Sequence, residues 1–145
     1  MRRVFFDANV LIAGVASHRG ASRAALMIAE AGLFQMVVSR QVLDEAERNL
    51  RRKLPRGLPI LVEILGHVHL EVVDDPAPQS FARWLDCIEA KDAPIVETAV
   101  SANIDSLLTL NSRDFTPGVA ARSGLTILAP AQFVERLREI VTEGL

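Results

Sequence analysis

Four acidic residues fall at comparable places along the chain. Asp7 follows the apolar run Val4-Phe5-Phe6. Glu45 lies inside Val42-Leu43-Asp44-Glu45-Ala46. Asp92 opens the stretch from Ala93 to Val100, and Asp114 follows the run Ser106 to Leu110 and the turn Asn111-Ser112-Arg113. Each stands where a predicted strand ends or a predicted helix passes. Carboxylates scattered in sequence but gathered at the ends of parallel strands would make an oxygen-lined pocket suited to a hard divalent ion such as Mg²⁺ or Mn²⁺. Packed carboxylates repel and raise one another's pKa values, and a bound cation relieves that repulsion. Such an ion polarises a phosphodiester oxygen and acidifies a bound water for in-line attack. Taken singly, each residue has an ordinary structural reading: Asp7 and Asp92 as helix caps, Glu45 on a solvated helix face, Asp114 as a turn former. The joint pattern is what points to chemistry.

Other chemistries find less support. The single Cys87 cannot form an internal disulfide, which fits a reducing cytoplasm. His67 and His69, two apart, would point the same way on a strand, but no third ligand stands near them. No apolar run is long enough for a membrane span, and the short run after Arg2-Arg3 is interrupted by Asp7, unlike a secretory leader. Charge is unevenly divided. Residues 1–56 carry ten Lys/Arg and five Asp/Glu, whereas residues 57–145 carry six and thirteen. The densest basic block is Arg48, Arg51, Arg52, Lys53 and Arg56. A polyanion could be drawn to that end while cations collect at the other, although a solvated helix face also accounts for the block.

The elements that must position these groups alternate along the chain. Strands are predicted over 3–6, 34–38, 70–73, 107–110 and 125–128. Helices are predicted over 9–16, 21–31, about 40–53, 60–66, 79–86, 93–103 and from Pro130 to about 142. Ser22 and Ser39 are candidate caps, Gly32 suits a helix end, and Pro55, Gly57 and Pro59 should interrupt helix. Thr116-Pro117-Gly118 starts a short helix or turn. At 145 residues, half of them hydrophobic, the chain fits one domain over 1–145 with a substantial core. The alternation argues for a three-layer α/β/α sandwich around a parallel sheet of about five strands. In such sheets ligands bind beyond the carboxyl ends of the strands, where strand order reverses. Asp7 and Asn111 would lie just past strand ends, with Glu45 and Asp92 reaching in from helices.

Across nearly its whole length the chain resembles the PIN-domain nucleases, which include the VapC toxins of bacterial toxin–antitoxin pairs. Val4 to Ile12 is similar to the family's opening strand and first metal-binding Asp. Val38 to Glu45 is similar to its second strand and the helix with the acidic Glu. Asp92 to Ala99 resembles the third acidic segment, and Leu107 to Phe115 the closing motif of Thr-x-Asp or Thr-x-Asn followed by Asp-Phe. Asn111 stands where the family often has an acidic residue. It offers a carbonyl oxygen but no charge, so either Asp114 supplies the missing charge or one metal position is weak.

The resemblance implies a metal-dependent endoribonuclease cleaving single-stranded RNA, the toxin of a type II toxin–antitoxin pair, acting in the cytoplasm. Asp7 and Asp92 would be the principal Mg²⁺ or Mn²⁺ ligands. Glu45 would hold a metal-bound or attacking water, and Asn111 and Asp114 would complete the pocket. Thr109 would position a ligand or the neighbouring backbone. No aromatic stacking platform is evident, so RNA would be held through phosphates by Arg40, Arg48, Arg51 and Arg52, with Arg19, Arg23 and Arg113 as further candidates. An antitoxin protein and a second copy of the chain are the expected protein partners, with the helices over 21–31 and 41–50 offering faces. A different reading keeps the fold but makes it a binding or interaction module that has lost activity. A phosphohydrolase of the haloacid-dehalogenase type, which also opens on a strand ending in Asp, would need a second Asp at position 9, where this chain has Asn9.

Overall fold

The computed structural model describes residues 1–144. Five short strands form one sheet: β1 (Arg3–Phe6), β2 (Gln35–Ser39), β3 (Leu70–Val73), β4 (Ser106–Leu108) and β5 (Ile127–Leu128). Their order is β3-β2-β1-β4-β5 and every pairing is parallel. The chain therefore moves outward from β1 to β3, crosses back, and continues on the other side of β1. The reversal falls between β1 and β4, where Phe5 is in register with Leu107.

Among the described residues, eight helices accompany the strands. They are α1 (Ala8–Ala16), α2 (Ala21–Glu30), α3 (Arg40–Lys53), α4 (Gly57–His67), α5 (Pro78–Phe81), α6 (Ala93–Ser101), α7 (Pro117–Ser123) and α8 (Pro130–Gly144), with a 3₁₀ turn at Ala82–Trp84. The result is the expected three-layer α/β/α arrangement. The three central strands read as apolar runs because both faces are covered: Val4, Phe5, Phe6, Met36, Val37, Val38, Leu107 and Leu108 are all buried. Phe34 stacks on Phe6 and meets Phe133 edge-on, with centroids 5.9 and 5.2 Å apart, tying β1 to α8. Gly14 lets α1 and α2 cross closely, because a Cβ there would run into Leu26 and lie 3.2 Å from the Ser22 carbonyl oxygen.

Several local expectations shift. α4 begins at Gly57 rather than 60, since Pro59 falls in its first turn, where a missing N–H costs nothing. His67 is the last residue of that helix and His69 precedes β3, so the pair does not share a strand face. Gly20, not Ser22, is the N-cap residue of α2, and Ser22 is buried within the helix. Ser39 does cap α3, accepting the Val42 N–H at 3.2 Å. β4 stops at Leu108, and Leu110 leaves the sheet to stand 49% exposed. At the opposite end of the sheet Arg3 forms a clasp. Its guanidinium donates to Glu71 at 2.6 and 2.8 Å and to the Ala102 carbonyl at 2.9 Å. The Arg3 hydrogen bond holds the Glu71 carboxyl below its usual range. Among the described residues no helix is long and apolar enough to cross a membrane.

Candidate active site

The carboxyl end of the sheet, at the β1/β4 reversal, collects the acidic groups. Asp7 leaves β1 in extended conformation and caps α1, its Oδ1 accepting the Ala8 N–H at 2.8 Å. Its other oxygen accepts from the Thr109 hydroxyl at 2.8 Å and from the Asn9 amide at 3.3 Å. Asp7 is therefore both a cap and a site residue, and the two readings are compatible. Burial pushes its pKa up, against the hydrogen bonds from Thr109, Ala8 and Asn9 and the charge of Lys91.

Asp92 stands at the start of α6 but does not cap it: its backbone is helical and its side chain makes no cap hydrogen bond. It turns toward Asp114. Its Oδ2 is buried and has no hydrogen-bond partner among the described residues. Burial, then the neighbouring Asp114 carboxyl, raises its pKa to about 7, and the charge of Asp7 adds to the rise while Lys91 opposes it. Asp114 carries the other side of this sharing and is shifted down. The hydrogen bond from the Asn111 amide, 2.9 Å to Asp114 Oδ2, contributes most. Asn111 also accepts the Asp114 N–H through Oδ1 at 3.2 Å and donates its own N–H to the Thr109 hydroxyl at 3.0 Å. A chain of hydrogen bonds thus runs Asp7–Thr109–Asn111–Asp114, and Asp92 lies beside its end.

Glu45 is exposed on α3 but within the field of this cluster. Its pKa is raised by desolvation and then by the Asp7 charge, against Arg48 and Lys91. The sequence-predicted acids Asp7, Glu45, Asp92 and Asp114 are accordingly brought into one electrostatic group. Two further members had no motif to announce them. Glu89 precedes Asp92 by one tight turn, in which the Asp92 N–H bonds the Glu89 carbonyl at 3.0 Å. Carboxylate oxygens of Glu89, Asp92 and Asp114 lie within 4.8 Å of one another. Lys91 sits on the rim, its ammonium 3.9 Å from both Glu89 and Asp114, and the Gln41 amide holds its carbonyl at 2.9 Å. The signal that could have found them is the i, i+3 spacing of Glu89 and Asp92 just before a helix start.

The donor set fits a divalent cation. Its atoms are carboxylate and amide oxygens, the Asp7 and Asp92 carboxyls are held above their usual pKa chiefly by burial, and a buried Asp92 oxygen is without a partner among the described residues. The predicted arginines are less concentrated. Arg40, Arg48, Arg51 and Arg52 lie along exposed α3, where Arg51 pairs with Glu47 at 2.6 Å and Arg48 donates to the Asp44 carbonyl at 3.3 Å. Arg23 is engaged structurally, donating to the Gly14 carbonyl at 2.6 Å. Arg19 is exposed, and Arg113 is exposed beside Asp114, whose pKa its charge helps to lower.

The family model described as PIN domain matches residues 3–113. No curated protein matches the chain in sequence. Solved structures with this fold include VapBC2 from Rickettsia felis bound to a DNA fragment from its promoter. It is 18% identical, with a TM-score of 0.65, over 88% of this chain and 98% of that one. DNA-bound VapBC from Salmonella typhimurium is 20% identical, with a TM-score of 0.64, over 90% and 99% of the two chains. PAE2754 from Pyrobaculum aerophilum is 15% identical, with a TM-score of 0.64, over 95% and 96%.

Proposed function

The chain belongs to the PIN-domain family, and from that premise we propose that it is a metal-dependent endoribonuclease acting on single-stranded RNA, the toxin of a type II toxin–antitoxin pair. The observation that carries the reading is Asp92: a buried carboxylate oxygen with no partner among the described residues, beside three other acids, in a crevice at the strand-order reversal. Burying such a charge is costly unless something positive arrives to compensate it.

Asp7 and Asp92 would hold Mg²⁺ or Mn²⁺, with Asp114 and the exposed Glu45 and Glu89 at its margin. When bound, the ion would supply Lewis-acid polarisation of the phosphodiester and a more acidic water. Thr109 favours the ionised form of Asp7 and aims it by donating to Oδ2. Asn111 does the same for Asp114, so its neutral side chain supports a charge rather than supplying one. Glu45 retains freedom to accept a proton from an attacking water, because it is exposed and makes no side-chain hydrogen bond among the described residues. Arginines of α3 would hold phosphates of the RNA strand.

The likeness to VapBC structures supports an antitoxin partner for this chain as well. The neutral Asn111 is the observation favouring a second reading, an inactive binding module of the same fold. The deciding experiment is cleavage of single-stranded RNA with Mn²⁺ or Mg²⁺ by the wild type, Asp7→Asn and Asp92→Asn. Metal-dependent cleavage that falls steeply in both variants is expected, and equal cleavage by all three would end the nuclease reading.

A further inference from the structure

Beside the acidic crevice, on its β5 side, lies an open hollow of about 540 Å³. That is the size range of small-molecule sites, roughly 300–1,000 Å³. Thr109 forms the wall shared with the crevice, and the hydroxyl of this residue is the group that binds Asp7. The rest is mainly apolar: Leu110, Phe115, Pro117, Ala120 and Ile127, with Gln132 also in the lining. Leu110 is the unusual member. It directly follows the strand-end Thr109, is large and apolar, and stands 49% exposed at the rim, its N–H held by the Asn9 side-chain oxygen at 3.0 Å. The same Asn9 donates to Asp7, so the rim and the crevice are fixed to one another.

The polar groups at the hollow have defined capacities. Gln132 Oε1 accepts the Ala129 N–H at 2.8 Å, which orients its amide nitrogen as a donor with no partner among the described residues. The Thr116 hydroxyl accepts the Val119 N–H at 3.2 Å and keeps its own proton to give. An apolar-sided hollow with donors at its edge suits a ring whose faces are apolar and whose rim carries acceptor atoms. Nucleobases have that character, and stacking against side chains is the usual way unpaired bases are held.

Resting on the ribonuclease reading above, we propose that this hollow is a nucleobase subsite, which takes one base of single-stranded RNA next to the phosphate attacked at Asp7 and Asp92. The subsite would supply what the described residues lack in exposed aromatic platforms. It makes cleavage depend on a base at one particular position, with Leu110 and Pro117 as side walls and Gln132 reading an acceptor on the ring. The α3 arginines bind phosphates without regard to sequence, so base preference would reside here.

The test uses binding and does not require cleavage. Short 2′-O-methyl oligoribonucleotides, with an abasic ribose at each position in turn, are titrated onto the full chain in Mn²⁺ by fluorescence anisotropy. In parallel, methyl resonances of Leu110, Ala120 and Ile127 are followed. One abasic position should weaken binding by about 10-fold, in keeping with a single stacked base, and only oligonucleotides with that base present should shift the three methyl groups. Ala120→Trp fills the hollow and should abolish the difference while leaving Mn²⁺ binding unchanged. Gln132→Leu, at an exposed helix position, provides a second variant that should alter the ranking of the four bases at that position. Equal affinity for abasic and intact oligonucleotides, or shifts confined to other methyl groups, would overturn the subsite. Absence of RNA cleavage by the wild type would instead count against the ribonuclease reading, so the two failures are separable.

Discussion

Thr109 and Asp7 are 102 residues apart in sequence and joined by a 2.8 Å hydrogen bond across the reversal between β1 and β4. The hydroxyl is a donor to a buried carboxylate whose burial already works against ionisation. Thr109→Val keeps the shape of the side chain and deletes that donor, so the Asp7 pKa should rise further. Metal binding requires the ionised form, so Mn²⁺ affinity of Thr109→Val should fall about tenfold near neutral pH, the scale of one hydrogen bond to a charged group. It should recover as pH is raised. Thr109→Ser restores the donor and should bind as the wild type. Calorimetric Mn²⁺ titration across pH reads both arms.

Asp92 carries the clearest linkage between ionisation and stability. Its pKa is about 7 in the folded chain against 3.8 for the free group. A raised acid contributes stability that is fully present below the unfolded value and is lost as pH rises through the folded one. The metal-free protein should therefore lose thermal stability from about pH 4 up to about pH 7, and Mn²⁺ should restore it. Asp92→Asn should flatten that slope, melt at or above the wild type at neutral pH without metal, and fail to respond to Mn²⁺. The same variant should cleave RNA roughly 100-fold more slowly, since ligand loss removes the ion's stabilisation of the transition state. Thermal melts with and without Mn²⁺ check the stability claims, and initial rates check the last one.

The elements that hold these residues are legible because their periodicity is strong. β1, β2 and α3 carry unbroken apolar runs or apolar residues at spacing four, and strand ends put Asp7 and Asn111 where a crevice belongs. Asp92 reads as a cap from its place before Ala93-Pro94, and only its surroundings show that the side chain turns away from the helix. Glu89 and Lys91 are hidden because they sit in an irregular turn with no repeat to expose them. The strand β4 ends at Leu108, and this too escapes the sequence: Leu107 to Leu110 is a continuous strand-like run, yet beyond the Thr109 N–H, which still reaches the Leu128 carbonyl, the N–H groups of Leu110 and Asn111 turn to the side chains of Asn9 and Thr109. Side-chain hydrogen bonds of that kind leave no mark in hydrophobic periodicity.

Glu97 tests the scaffold apart from the chemistry. It is buried on α6 and accepts from Trp84 Nε1 and Arg83 Nε at 2.8 Å and from the Ser101 hydroxyl at 2.9 Å. Burial pushes its pKa up, but the hydrogen bonds from Trp84, Arg83 and Ser101 and the Arg83 charge outweigh it and hold the carboxyl low. A lowered acid contributes stability present above its unfolded value and lost as pH falls through the folded one. Glu97→Ala should cost about 1–3 kcal/mol, chiefly by leaving the buried indole N–H without a partner. The loss should be largest near neutral pH and shrink in acid. Denaturant melts of both proteins from acid to neutral pH give the comparison.

Arg40 and Arg52 decide whether α3 holds an RNA backbone. Both are exposed and make no side-chain hydrogen bond or ion pair among the described residues, whereas Arg51 is occupied by Glu47 and Arg48 by the Asp44 carbonyl. Arginines without protein partners lose least when they turn to a phosphate, so these two should account for more of the binding than their neighbours. The double variant Arg40→Ala, Arg52→Ala should weaken single-stranded RNA binding to a similar degree for every sequence. The slope of log affinity against log salt should flatten by about 0.7 for each phosphate that is no longer neutralised. Arg51→Ala should change the slope less, because Arg51 must first give up an ion pair within the helix. Anisotropy titrations of one oligonucleotide over a salt series distinguish the outcomes. An unchanged slope in the double variant would mean that the basic face of α3 is only solvated and that the RNA approaches the acidic crevice from another side.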